Sequence, residues 1–298
     1  MRNRVQGASQ SYVWACLLCL SLSGMTAAAQ VHSGSDKPAA IADKQNEEAG
    51  HWLMTQIALR ESLRQIPAHI DMGLQQAQAQ GMPPDLAQLV QRSGREVYDL
   101  QQLEPQALAL LVKSLGRQHL QAWTVFYKTP LGQKVAQADL QGTSPQTMAH
   151  VSENAPKIMA ELAADTARMA LIQSVVDASL ALDRAVSMNM AMSLAMEWAV
   201  VSAMSDQRGK PTLRQLQDHA QQQRFMVRSQ MSPWVLAHTA HVLQNLSISE
   251  LQQFLAQVNS PAGQALYRDF GQNFEQWFIQ YAQRFGQSVH QGLIRQGV

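Results

Sequence analysis

The chain has 298 residues, of which 46% are hydrophobic and 15% are charged, and its formal net charge at pH 7 is +1. Its basic residues form no run of lysines and arginines, so we expect neither a nucleic acid nor an anionic membrane surface as a partner. Both cysteines, Cys16 and Cys19, lie near the N-terminus, so the rest of the chain must fold without disulfides.

The first 29 residues have the pattern of a secretory signal peptide. Arg2 and Arg4 form a basic region, residues 13–22 form an apolar region too short to span a bilayer, and three alanines precede Gln30. We predict cleavage near Ala29 and release into the periplasm. No later segment has 18 uninterrupted apolar residues, so we expect a soluble mature protein without membrane insertion.

The rest of the chain has the pattern of a helical protein. Residues 30–50 are small, polar and aperiodic, which is typical of a disordered lead-in. From Trp52 onward apolar residues recur with helical spacing, and no segment alternates convincingly with the period of a strand. We predict an all-α helical bundle, in which the following prolines mark helix starts: Pro105, Pro130, Pro145, Pro233 and Pro261.

Two short corners share one arrangement, in which a capping Thr or Ser is followed by proline and, two residues later, by glycine. The residues that define these structural corners are Thr129, Pro130, Gly132, Ser260, Pro261 and Gly263. The hydroxyl can cap the new helix, and proline fits its first turn. Because a glycine in a helix costs up to about 1 kcal/mol relative to alanine, we expect the preceding helix backbone to pass too close for a Cβ.

The corners belong to a longer internal repeat. A Gly-x-Pro motif at residues 81–83 returns at 209–211, a spacing of 128 residues (209 − 81), and the spacing grows to 131 residues (263 − 132) at the corner glycines. An insertion of three residues near 245–247 explains the change. Self-similarity at a fixed period indicates duplication. We therefore predict two tandem, similar multi-helix lobes, residues 51–165 and 166–298.

One corner resembles a known family. Residues 120–132, with the core Phe-Tyr-Lys-Thr-Pro-Leu-Gly, resemble the hallmark of the bacterial domain-of-unknown-function 2059 family: an aromatic pair, any residue, Ser or Thr, Pro, any residue and Gly. The resemblance is weaker around residues 251–263, where Gln257 and Val258 replace the aromatic pair. It implies an exported helical protein, and it brings no catalytic residues to this chain.

One histidine pair has the spacing of metal ligands. His238 and His241 lie at i and i+3 of a predicted helix, where they could share a zinc or copper ion. No acidic residue stands beside them at helical spacing, and the apolar residues of this helix place its buried face elsewhere. Two solvent-facing histidines are the favoured interpretation, so we predict no metal site and no cofactor.

The sequence contains no recognisable catalytic motif. It has no Gly-x-Ser-x-Gly elbow and no glycine-rich loop after a strand. Glu161 and Asp165 lie one helical turn apart, as a carboxylate pair for acid–base chemistry would. Arg168 lies within a turn of Asp165, which favours a solvated charged face instead. We therefore expect a protein that is not an enzyme.

Residues 187–198, SMNMAMSLAMEW, are unusually rich in methionine. Met188, Met192 and Met196 share one helix face, and Trp198 follows them. The favoured interpretation is a methionine-filled core helix. The alternatives are a pliable ligand groove lined by these four residues, Cu(I) binding through the thioethers, and sacrificial oxidation.

Two hypotheses about function follow. The first is a non-catalytic periplasmic binding or scaffolding module, with a groove between two lobes that takes a protein, a peptide or an apolar ligand. The alternative is a periplasmic metal-handling protein that uses the methionine stripe or the pair His238 and His241. An exposed apolar patch is expected of the first, and stoichiometric metal uptake of the second.

Overall fold

The computed structural model describes residues 36–79, 81–203 and 211–295. Within these ranges the chain forms helices joined by short turns and no β-strand, which confirms the predicted all-α class. The helices are α1 (Asp36–Gln56), α2 (Leu59–Ala79), α3 (Pro84–Val97), α4 (Leu100–Tyr127), α5 (Pro130–Gly142), α6 (Pro145–Ala164), α7 (Thr166–Ala178), α8 (Ala181–Ala203), α9 (Leu213–Val242), α10 (Ile248–Asn259), α11 (Pro261–Gln264), a π-helical segment (Ala265–Phe270) and α12 (Gly271–Arg295). None of the described helices has both the length and the apolar character that a bilayer crossing requires.

The N-terminal part of the chain differs from its prediction. The predicted signal peptide, residues 1–29, lies outside the described residues. Helix α1 begins at Asp36, so residues 36–50 are helical, although the composition of this segment predicted disorder. Contact with α4 explains the difference, since α1 packs along α4 and a Cβ on Gly50 would lie 2.5 Å from Cγ2 of Val112. Composition alone does not reveal such a contact.

Prolines begin some of the helices, as predicted. Pro130, Pro145 and Pro261 lie in the first turn of α5, α6 and α11, after a Thr or Ser whose hydroxyl accepts a backbone hydrogen bond. The prediction is wrong at Pro105 and Pro233, which lie inside α4 and α9. Both helices start earlier, at side-chain caps that satisfy their first backbone N–H groups.

The two corners have the same geometry. The hydroxyls of Thr129 and Ser260 each accept a hydrogen bond of 3.0 Å from the backbone N–H of the glycine three residues later. A Cβ on Gly132 would lie 2.6 Å from Cα of Tyr127, and a Cβ on Gly263 would lie 2.5 Å from a carbonyl carbon of the preceding helix. At both corners, therefore, the preceding backbone passes too close for any side chain but that of glycine.

Other breaks between helices also have a defined backbone geometry. Gly116 interrupts α4 with a non-helical φ of 59° and ψ of 175°. The second half of the chain has a turn between Val242 and Ile248, where the sequence predicts the three-residue insertion. Ala58, between α1 and α2, and Leu180, between α7 and α8, both have left-handed backbone, with φ of 52° and 51°. Left-handed φ is uncommon for residues other than glycine, so these two joints are unusual in the same way.

One hydrophobic core runs through both halves of the described chain. Helix α12, from the C-terminal half, packs against α3 and α8, and α6, from the N-terminal half, packs against α9. Buried apolar side chains from Leu53 to Leu293 form a single cluster. The predicted boundary between residues 165 and 166 falls between α6 and α7, and the helices on its two sides share this core.

Candidate binding cleft

A cleft lies between α6, the beginning of α7 and the C-terminal end of α9. Its volume is about 340 Å³, which falls in the usual range for ligand pockets. Helix α6 contributes His150, Asn154, Lys157, Ile158, Glu161 and Leu162. The other lining residues are Asp165 and Arg168 at the start of α7, Ala240 and His241 at the end of α9, and Gln244 in the turn that follows. We refer to this feature as the α6–α7–α9 cleft.

The charged groups of the cleft are arranged in pairs of opposite sign. Nζ of Lys157 lies 4.0 Å from Oε1 of Glu161, and Nε of Arg168 lies 3.7 Å from Oδ2 of Asp165. Arg168 also donates a hydrogen bond of 2.7 Å from Nη2 to the carbonyl oxygen of Leu246. Each carboxylate therefore lies beside a cation of its own wall, as the spacing of Asp165 and Arg168 predicted. The wall carries both signs of charge rather than one dominant sign.

Two histidines approach each other at the cleft from different helices. The ring centroids of His150, on α6, and His241, on α9, lie 5.0 Å apart with a tilt of 40°. Burial lowers the pKa of His241, and the neighbouring His150 lowers it further. Asn154 holds His150 from the next turn, since its Nδ2 donates to the carbonyl oxygen of His150 at 2.9 Å and lies 3.5 Å from Nδ1.

The predicted pair His238 and His241 does not share one exposed face. His238 is only 3% exposed, so the expectation of two solvent-facing histidines is wrong at this position. Its Nε2 lies 3.1 Å from the carbonyl oxygen of Gly142, and its ring stacks on Trp234 at 4.9 Å. Burial lowers the pKa of His238 to about 4. Within the described residues, no three His, Cys, Asp or Glu side chains are arranged to hold a metal ion.

The methionine stripe lies mainly in the core. Met188 and Met192 are buried, and the hydroxyl of Tyr98 donates to Sδ of Met192 at 3.2 Å. Met196 and Trp198 are half-buried. The side chains of Met188 and Met192 therefore pack inside the protein and do not line an open groove.

A separate group of polar side chains is enclosed beside the corners. Asp139 is only 7% exposed, and burial raises its pKa to about 7. Burial also raises the pKa of Tyr127 and of Tyr267, and the carboxyl of Asp139 is a further cause for both. The backbone carbonyl of Tyr267, in the π-helical segment, accepts a hydrogen bond of 3.4 Å from buried Arg184. These groups are enclosed and do not line the cleft, so we expect them to affect the stability of the protein.

Sequence reasoning found only part of the cleft. Glu161, Asp165 and Arg168 were considered for their spacing along the chain, and the structure brings them to one wall. His150 was missed because α6 meets α9 only through tertiary packing, and Gln244 was missed because it lies in the turn after α9. The corner residues and the methionine stripe lie elsewhere and do not line this cleft.

Similarity to known proteins covers part of this region. The described chain is an all-α protein, and the cleft between its helices is lined by both polar and apolar side chains. Residues 101–165 match a family described as "Uncharacterized protein conserved in bacteria (DUF2059)", which confirms the resemblance seen at residues 120–132. The matched range includes all of α6, which forms one wall of the cleft. No curated protein and no solved structure is significantly similar to the chain.

Proposed function

We propose that this chain is a non-catalytic binding module that holds a short peptide segment in the α6–α7–α9 cleft. The observation that carries the proposal is the cleft itself, with a volume of about 340 Å³ between three helices. Pockets of this size that combine apolar surface with a few polar groups are typical ligand sites.

The chemistry of the lining favours a peptide over the other ligands considered. Ile158, Leu162 and Ala240 supply apolar surface, and the amides of Asn154 and Gln244 supply hydrogen-bond donors and acceptors of the kind that peptide groups require. A purely apolar ligand would bury the amide of Gln244 and the amide oxygen of Asn154 without partners, which is unfavourable. A strongly anionic ligand would meet the carboxylates of Glu161 and Asp165 as well as the cations beside them, so the lining gives it no net attraction.

We further propose that the two halves of the chain are copies of one ancestral unit. The joints at Ala58 and Leu180, the Gly-x-Pro motifs and the Pro-x-Gly corners occur in the same order in both halves. The joints are 122 residues apart (180 − 58) and the Gly-x-Pro motifs 128 (209 − 81), so it is the shared order of these features, together with the similar backbone of the joints, that supports duplication. The shared core would then be formed by two similar units that exchange contacts through their last helices.

Comparison of the two proposed copies supports the choice of cleft. The residues that lie 131 positions after His150 and Asn154 are Tyr281 and Phe285. Both aromatic side chains are buried and pack against Tyr98. The N-terminal copy thus carries polar side chains at two positions where the C-terminal copy is filled by aromatic rings.

The proposed site of action is the periplasm. This rests on the signal-peptide pattern of residues 1–29, with its basic start, its short apolar region and the alanines before Gln30. The test is the N-terminal sequence of the protein recovered from the periplasmic fraction, which we expect to begin within a few residues of Gln30. Recovery of the uncleaved chain from the cytoplasm would contradict export.

Peptide binding can be tested with a random peptide library displayed on phage, followed by isothermal titration of the selected peptides. We expect Ile158→Trp, which places an indole in the cleft, to weaken binding by more than about tenfold, because a wrongly filled pocket costs well over 1.4 kcal/mol. Val125→Trp is the matched control, since Val125 is 62% exposed on α4 and away from the cleft. Equal binding by both variants, or the absence of selected peptides, would contradict the proposal.

A further inference from the structure

The rings of His150 and His241 lie close together, and the proposed peptide binding makes no use of this proximity. The two imidazoles come from different helices, α6 and α9, and face each other at the edge of the cleft with their centroids 5.0 Å apart. His150 is exposed and His241 is half-buried, so the space between the rings adjoins solvent.

This separation fits two ligands of one metal ion. A zinc–nitrogen bond is about 2.0–2.1 Å long, which places the metal about 3.2 Å from each ring centroid. At the roughly tetrahedral angle that zinc prefers, two such rings have centroids about 5 Å apart. The observed separation of the two ring centroids, 5.0 Å, matches this value.

We propose that His150 and His241 together bind a divalent transition metal ion, such as Zn²⁺ or Ni²⁺, as a bridge between α6 and α9. Imidazole nitrogen is a preferred ligand of both ions. Because the described residues supply no third His, Cys, Asp or Glu at this point, water completes the coordination. Such a site is open and exchangeable, unlike the closed four-ligand sites of structural zinc.

The surroundings are compatible with a divalent cation. Lys157 and Arg168 line the same cleft, but each lies beside a carboxylate, Glu161 and Asp165 respectively. Neither cation therefore adds an uncompensated positive charge to the site.

Asn154 lies beside His150 on the next turn of α6. Its Nδ2, a hydrogen-bond donor, lies 3.5 Å from Nδ1 of His150. A neutral imidazole that binds metal through Nε2 carries its proton on Nδ1, and this proton would face the amide donor of Asn154. A carboxylate in that position would accept the proton instead and orient the ring, as outer ligands of metal sites do. The amide donor of Asn154 therefore disfavours this tautomer, and Asn154→Asp is expected to tighten metal binding by about tenfold.

The experiment is a titration of tag-free protein with ZnCl₂ and NiCl₂, followed by isothermal calorimetry and by the melting temperature. We expect binding of one ion per chain and a melting temperature that rises with metal concentration, because the ion binds only the folded pair. His150→Gln and His241→Gln should each weaken binding by more than about tenfold. His219→Gln, which removes an exposed histidine elsewhere on α9, should bind as the wild type does.

Three results would overturn the inference. The first is metal binding that survives when both His150 and His241 are replaced by Gln. The second is a loss of metal affinity in the His219→Gln control as large as in the two single variants. The third is a melting temperature that the metal leaves unchanged. Circular dichroism of each variant separates lost binding from lost folding, and exposed His150 is the safer of the two substitutions. No peptide enters this experiment, so its outcome is independent of the peptide proposal.

Discussion

The indole N–H of Trp123 donates a hydrogen bond of 2.8 Å to the backbone carbonyl oxygen of Ala262. Trp123 lies on α4, just before the first corner, and Ala262 lies in the second corner itself. Phe126 and Phe254 stack beside this bond, with centroids 6.4 Å apart. The two corners are therefore joined directly, in the middle of the core that both halves share.

Trp123→Phe should lower the free energy of unfolding by about 1–3 kcal/mol, because phenylalanine keeps an aromatic ring but leaves the buried carbonyl of Ala262 without this donor. Urea denaturation measures the change. Trp234→Phe is the control, since its indole bonds to Ser152 at 3.3 Å at an exposed site, and it should cost under about 1 kcal/mol. If the free energy of unfolding falls equally in the two variants, the hydrogen bond to Ala262 does not stabilise the protein more than the exposed one does.

Gly132→Ala and Gly263→Ala should each destabilise the protein by about 1–3 kcal/mol, since the new Cβ would overlap backbone atoms that cannot rotate away. Gly94→Ala is the matched control, because the nearest atom there is the flexible side-chain end of Ile70, 2.8 Å away. Alanine is more favourable than glycine in a helix by up to about 1 kcal/mol. In Gly94→Ala this gain should offset much of the free-energy cost of the crowding. Thermal melting of the three variants decides the matter, and a corner variant more stable than the wild type would contradict the close approach.

Stability should depend on pH through Asp139, whose pKa burial raises from 3.8 to about 7. The folded state then holds the proton more tightly than the unfolded state does. The free energy of unfolding should therefore fall as the pH rises from about 4 to about 7 through this group. Asp139→Asn should flatten that part of the profile and stabilise the protein above pH 7 by about 1 kcal/mol or more. Urea denaturation at several pH values in this range measures the free energy of unfolding of the wild type and of Asp139→Asn. The same pH dependence in both proteins would contradict the prediction.

The methionine stripe should divide into two classes. Met192→Ala should cost about 2–5 kcal/mol, as expected of a buried methionine. Met192→Leu should cost about 1–3 kcal/mol, because it leaves the buried hydroxyl of Tyr98 without its sulfur acceptor. Met196→Ala should cost less than Met192→Ala, since Met196 is half-buried. Chemical denaturation compares the three, and equal costs at the two positions would contradict the assignment.

Local signals in the sequence predicted the parts of the fold that depend on near neighbours. The helix start at Pro130 and the close approach at Gly132 follow from residues within one turn of each corner. Pro105 and Pro233 were misjudged because caps further upstream start α4 and α9. Helix α1, which includes residues 36–50, packs on α4, and this is a contact between distant parts of the chain.

The cleft was harder to predict than the helices that form it. His238 was expected to face solvent, but it packs between Trp234 and the carbonyl of Gly142, on a stretch of α9 that is buried on nearly every side. His150 and His241 are separated by almost a hundred residues, and only the packing of α6 on α9 brings them together. Periodicity identifies each helix, whereas it does not say which helices become neighbours.

Hydrogen exchange with mass spectrometry tests the central claim most directly, because it locates a bound peptide on the chain. On addition of a library-selected peptide, the account predicts slower amide exchange in residues 150–168 and 238–246, the segments that line the α6–α7–α9 cleft. Ile158→Trp should abolish this protection. Protection confined to another surface, such as the exposed side chains of Phe225 and Met226 on α9, would contradict the account.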